Sequence, residues 1–155
     1  MSNTIAERLK NLGITLPAAP APQGNYVPYV VTGNLVFLAG QIALVAGELK
    51  YKGRVPDGVS LEEAHQSARL CAINLLTQLS AACGGDLERV VRCVKLGGFV
   101  ACDATFTDHP KVINGASDLM AEVFVDRAPH ARFAVGAPSL PLGASVEVDA
   151  IFEIR

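Results

Sequence analysis

Residues 60 to 82 constrain the fold more than any other part of the chain. Leu61, Ala64, Ala68, Cys71, Ala72, Leu75 and Leu79 recur at helical spacing, Ser60 and Glu63 form a capping box, and Gly84-Gly85 supplies the stop. A helix of that length with one apolar face needs a layer to lie on. The stretch that follows, Leu87 to Val100, changes to β-branched character at Val90, Val91 and Val94. It contains Gly97-Gly98, which predicts a long strand with a bulge or a close backbone approach. A second amphipathic helix is expected from about Pro110, as first helical residue, to about Asp126. Its apolar face would comprise Val112, Ile113, Ala116, Leu119, Met120, Val123 and Phe124, and Pro129 prevents its continuation.

Strands are expected on either side of these helices. Tyr26 to Val31 and Leu35 to Ala39 flank Thr32-Gly33-Asn34 and read as a β-hairpin. At the other end, Ala131 to Ala137 and Ser145 to Ile154 alternate with period two. They are joined by the turn-rich PSLPLG, which predicts a terminal β-hairpin. Before all of these, residues 3 to 12 predict a short peripheral helix capped by Asn3 or Thr4 and stopped by Gly13. LPAAPAPQG after it is an extended linker. The order gives an α+β fold in which two long helices cover one face of a mixed sheet. With 155 residues, the expectation is one domain over 1–155, with 1–21 as an N-terminal extension. No element is left for the other sheet face, so another subunit is the expected cover. A content of 50% hydrophobic against 18% charged residues points the same way.

Composition narrows the function classes. A net charge of -2 and the lack of any Lys/Arg run give no footprint for a phosphate backbone, so no nucleic-acid partner is expected. Cys71, Cys83, Cys93 and Cys102 form no CxxC pair and read as reduced packing residues. Neither a metal nor a cofactor is expected. The chain opens without a basic start followed by an apolar run, and no stretch reaches the ~18 to 20 apolar residues of a membrane span. A cytoplasmic protein without a membrane partner is the expectation.

Candidate chemistry lies near the end of the chain. Alternation places Arg132, Ala134 and Gly136 on one face of their strand, and Glu147 and Asp149 on one face of theirs, opposite Val146, Val148, Ala150 and Phe152. If the two strands pair, a guanidinium and two carboxylates share central strands. Arg132 could then present its planar fork to a substrate carboxylate while Glu147 orients or deprotonates a water. The same pattern accommodates a plain cross-strand ion pair on a solvated face. His130 shares the face of Arg132 if the strand begins there, which makes it a pocket candidate. His65 reads as solvent-facing and His109 as a turn or cap residue. Asp103, Asp108 and His109 lack metal-ligand spacing. Ser117 and Ser145 sit in no nucleophile elbow, and Gly84-Gly85 in no phosphate loop.

The run HARFAVGAPSLPLGASVEVDAIFEI resembles the C-terminal signature of the Rid/YjgF family, also called the endoribonuclease L-PSP family. GNYVPYVVTGNLVFLAGQI is similar to that family's segment ending in Ser-Gly-Gln-Ile. The resemblance covers roughly residues 22 to 155 and marks the chain as an extended branch. It implies a chorismate-mutase-like fold assembled as a homotrimer with pockets between subunits. It also implies hydrolysis of 2-imino or 2-enamino acids to 2-keto acid and ammonia. By this resemblance Arg132 binds the substrate carboxylate, Glu147 positions water, Tyr26 packs at the rim of the site, the backbone of Gly40 lines it, and Asn114 helps to hold it. Two positions depart from the pattern: Ala39 stands where many members carry Ser, and Ala134 where Cys is common. Those departures motivate an alternative, a non-catalytic binder of small carboxylates. A third reading, endoribonuclease, follows the family's other name.

Overall fold

The computed structural model describes residues 3–21 and 24–155. Helix α1 (Ile5–Asn11) is followed by strands β1 (Tyr29–Thr32) and β2 (Leu35–Gln41), and by a small hairpin of β3 (Leu44–Val45) and β4 (Glu48–Leu49). Then come α2 (Leu61–Ala82), β5 (Val90–Ala101), α3 (His109–Phe124), β6 (Ala131–Ala137) and β7 (Val146–Ile154). The linker residues Pro22 and Gln23 lie outside the described residues. Five strands form one sheet in the order β1-β2-β7-β5-β6. All pairs are antiparallel except β5 with β6, which run parallel and are joined through α3. The mixed sheet and the two long helices on one face are as expected.

The helices obey their sequence signals. Ser60 accepts from the Glu63 N–H at 3.1 Å while the Glu63 carboxylate takes the Ser60 N–H, closing the capping box of α2. Its far end stops at Gly84 and Gly85, both with positive φ. α3 begins one residue earlier than expected, at His109, and ends at Phe124. α1 is capped by Thr4 through a second capping box with Glu7. It is not peripheral: Ile5 is 1% exposed and belongs to the core, its N–H donates to Glu88 Oε1 at 2.7 Å, and Arg8 Nε donates to the Val123 carbonyl at 2.6 Å. That carbonyl is in the last turn of α3, where a cation is favoured.

The two strands at the chain end do not form the expected hairpin. β5 lies between them, paired with β7 on one side and β6 on the other, so β6 is an edge strand. The physical reason is α3. Its apolar stripe has to be buried, and a β5-α3-β6 crossover lays it on the sheet, which a β6–β7 pairing would not do. Gly97 and Gly98 are close approaches, not a bulge. A Cβ at Gly98 would lie 2.6 Å from Ile113 Cδ1, and one at Gly97 would collide with Asp149 Oδ1. The register shifts of β5 fall earlier, between Val90 and Lys95. All four cysteines are free and buried.

Gly115 sets how closely the two long helices approach, because a Cβ there would run into the carbonyl oxygen of His65 on α2. An alanine at position 115 gains about 1 kcal/mol of helix propensity. It loses more by forcing α2 and α3 apart, since overpacking costs typically 1–3 kcal/mol and a backbone atom cannot rotate aside. Gly115→Ala is therefore expected to lower unfolding free energy by up to about 2 kcal/mol, read from the urea midpoint at unchanged slope.

Candidate functional site

Residues paired across strands share a face, and this fixes where each candidate points. Leu96 is opposite both Arg132 and Ala150, on the face covered by the helices. Phe99 is opposite both Val135 and Glu147, on the other face. Arg132 and Glu147 therefore lie on opposite sides of the sheet, and β5 separates their strands. The expectation that they meet on paired central strands is overturned for a single protomer.

On the helix side, Arg132 reaches from the sheet edge to α3. Its Nη1 donates to Asn114 Oδ1 at 2.8 Å and to Ser117 Oγ at 3.1 Å. Asn114 and Ser117 are three residues apart and so lie on one side of the helix. Both protons of Nη1 are thereby used. The Nε–H and Nη2–H edge makes no hydrogen bond to any described residue, and it is the edge that grips a carboxylate with two parallel bonds. Ala134 follows on the same face of β6, half-buried against the core, so no side chain there competes for the guanidinium. His130, just before β6, also belongs to this group: its Nε2 is 3.0 Å from Ser117 Oγ.

On the other face, Glu147 is half-buried beside Gly40, where a Cβ would collide with its Oε1. The bare glycine is what gives the carboxylate its place. Burial pushes the Glu147 carboxyl above the usual carboxylate range, and the neighbouring Asp149 adds to the shift. Asp149 is raised by burial as well, opposed by the Gly97 N–H that it accepts and by the Lys95 ammonium. Around the two acids the sheet is apolar: Val30, Phe37, Phe99 and Val135 are 52%, 41%, 37% and 43% exposed. Phe133 meets Phe99 edge-on at 5.3 Å, with the Lys95 ammonium 5.4 Å from its ring centre. No described element covers this face. Tyr26 lies ahead of β1 in a bend, 58% exposed.

Beyond Arg132 on the same edge, a surface cleft of about 450 Å³ is lined by Arg54, Cys102, Asp103, Phe106, His109 and Gly136. Cys102 Sγ is 3.4 Å from His109 Nε2. Burial and then Asp103 push this thiol above its ordinary value, against the opposing pull of Arg54, which disfavours a thiolate nucleophile. Asp103 itself accepts from the Thr105 hydroxyl and from the Thr105 and Phe106 N–H groups, as a turn residue does, and those bonds hold its carboxyl below the ordinary range. His65 donates from Nδ1 to the Lys111 carbonyl and ties α2 to α3.

Ser117 is the residue of this group that sequence reasoning passed over. Its signal is the three-residue spacing from Asn114 on the helix that the edge strand packs against.

Fold and side-chain placement define a class: a chorismate-mutase-like α+β protein with a helix-anchored guanidinium at its sheet edge and an acid on a sheet face that no described element covers. The chain matches over residues 6–154 the family described as "YjgF/chorismate mutase-like, putative endoribonuclease", and it belongs to that family. Among curated relatives it is 44% identical to Protein TCP17 of Trypanosoma cruzi, over 99% of this chain and 96% of that one. It is 30% identical to a 2-iminobutanoate/2-iminopropanoate deaminase of Dermatophagoides farinae, over 92% of this chain and 95% of the relative. Among solved structures, the Agrobacterium tumefaciens protein Atu1372 superposes with a TM-score of 0.90 at 47% identity, covering 97% of this chain and 92% of that one. No helix among the described residues is long and apolar enough to cross a membrane.

Proposed function

We propose that this protein hydrolyses 2-imino and 2-enamino acids to 2-keto acids and ammonia, as a homotrimer whose sites lie between subunits. The observation that carries the reading is the Arg132 guanidinium, fixed on one side by Asn114 and Ser117 and without a partner among the described residues on its bidentate edge. A relative named as a 2-iminobutanoate/2-iminopropanoate deaminase supports the substrate class.

Since Arg132 and Glu147 occupy opposite faces of one sheet, a site using both needs two copies, the edge of one against the uncovered face of the next. Three copies in a closed ring would bury that apolar face and complete three sites. In each, Arg132 takes the substrate carboxylate. Tyr26 packs at the rim and Gly40 leaves room above Glu147. Water bound to Glu147 attacks C2 of the imine, its proton passes to the carboxylate, and the carboxyl hands that proton on to the imine nitrogen. Glu147 then takes the hydroxyl proton of the resulting carbinolamine and returns it to the amine, so that the C–N bond breaks as the C=O bond forms and ammonia leaves. Position and a base suffice, because the imine carbon is already electrophilic. The upward shift of the Glu147 carboxyl brings a base closer to working pH. An endoribonuclease reading is disfavoured by the same face: two carboxylates among apolar side chains repel a phosphate backbone.

The test supplies 2-aminoacrylate from a dehydratase and follows ammonia release. Acceleration over buffer by the purified chain is expected. Tight calorimetric binding of pyruvate with no acceleration would replace the enzyme with a carboxylate-binding protein. Sedimentation should give three times the 16.3 kDa chain mass.

A further inference from the structure

We propose that Ser117 and His130 are positioning residues for Arg132, forming a fixed-direction hydrogen-bond chain that turns the carboxylate-binding edge of its guanidinium outward. The inference rests on the deaminase reading only for what the guanidinium is presented to. The chain of bonds stands on its own geometry.

Its direction follows from which atoms can only donate or only accept. The Ala128 carbonyl only accepts, and His130 Nδ1 is 2.7 Å from it, so Nδ1 carries a proton. In the neutral ring Nε2 is then an acceptor, and at 3.0 Å its donor is the Ser117 hydroxyl. With its only proton committed to His130, the Ser117 oxygen offers a lone pair, and Arg132 Nη1, which only donates, fills it at 3.1 Å. Asn114 Oδ1 takes the other Nη1 proton at 2.8 Å.

Without His130, the Ser117 proton could rotate toward the guanidinium and oppose it. With His130 in place, Nη1 sees two acceptors. Two anchors on one nitrogen remove rotation about the guanidinium's own axis and leave Nε–H and Nη2–H as the exposed pair. The backbone bond to Ala128, two residues before His130, ties the orientation of the imidazole to the entry of β6. Arg132 itself sits two residues after His130 on the same segment. A substrate carboxylate thus meets an edge that is already oriented, so less freedom is lost on binding.

The test reads the geometry and its use separately. In the intact protein above neutral pH, nitrogen-15 spectra should show His130 protonated at Nδ1 and bare at Nε2, and separate, slowly exchanging Nη signals for Arg132. Ser117→Ala and His130→Phe should merge the Arg132 signals, while Ser117→Thr, which keeps the hydroxyl, should leave them separate. A His130 ring protonated at Nε2 alone, or Arg132 signals that Ser117→Ala does not change, overturns the proposal. With pyruvate as probe, calorimetry should show binding weakened by about tenfold or more by Ser117→Ala, the scale of one hydrogen bond to a charged group. In an Arg132→Ala background the same change should have no further effect. Equal weakening in both backgrounds would mean a merely structural role and would also overturn the proposal. Wild-type protein that keeps the spectral signature but binds no pyruvate would sink the carboxylate reading of Arg132 and leave the positioning chain standing.

Discussion

Arg132→Ala is expected to lower kcat/KM for imine hydrolysis by about a thousandfold, and Arg132→Lys by about a hundredfold. A hydrogen bond to a charged group contributes roughly 1.5–3 kcal/mol and the proposed clamp has two, so about 4 kcal/mol of transition-state binding depends on the fork. At about 1.4 kcal/mol per factor of ten, that is close to three decades. Lysine restores the charge but not the geometry. A single ammonium cannot satisfy Asn114 and Ser117 on one side and still offer two parallel donors on the other. Because Arg132 sits on an edge strand and is only half-buried, both variants should fold, with melting temperatures within a few degrees of the parent. Steady-state kinetics on dehydratase-generated substrate gives the ratio. An Arg132→Ala protein with undiminished kcat/KM would remove the basis of the proposed site.

The sequence made individual elements legible and left their assembly partly hidden. α2 could be read nearly to the residue, because a capping box, an apolar stripe and a Gly-Gly stop are all local signals. Within each terminal strand, alternation correctly put Arg132 with Ala134 and Gly136, and Glu147 with Asp149. Alternation cannot say how the faces of two different strands align. That depends on strand order, and the turn-rich connection between β6 and β7 imitates a hairpin while the chain steps across β5. The consequence is functional. Read as a hairpin, the two candidate groups belong to one molecule; read from the sheet order, they cannot meet without a second copy. Ser117 stayed hidden for a related reason, since a serine on a helix is informative only once the strand facing it is known.

Glu147→Gln separates chemistry from stability in opposite directions, and both are expected in the same protein. A positioned general base contributes typically 10²–10⁴-fold, so kcat should fall at least about a hundredfold with KM nearly unchanged. Glutamine keeps the shape of the side chain against Gly40, so the pocket need not rearrange. The stability effect follows from the sign of the shift. Burial, reinforced by Asp149, raises the folded-state pKa of Glu147 above its unfolded value, so the native state holds the proton more tightly than the unfolded chain. Stability from this group is then present below the ordinary carboxylate pKa and is lost as pH rises through the raised one. Above that window the ionised, half-buried carboxylate is a cost. Glutamine carries no charge and bears none of it. The variant should therefore melt no lower than the parent at neutral pH, with a flatter dependence of melting temperature on pH across the mildly acidic range, the remaining slope including that of Asp149. Thermal melts across that range beside steady-state kinetics give both numbers. A Glu147→Gln protein that stays fully active but melts lower would show that the acid serves packing, and that water is activated elsewhere.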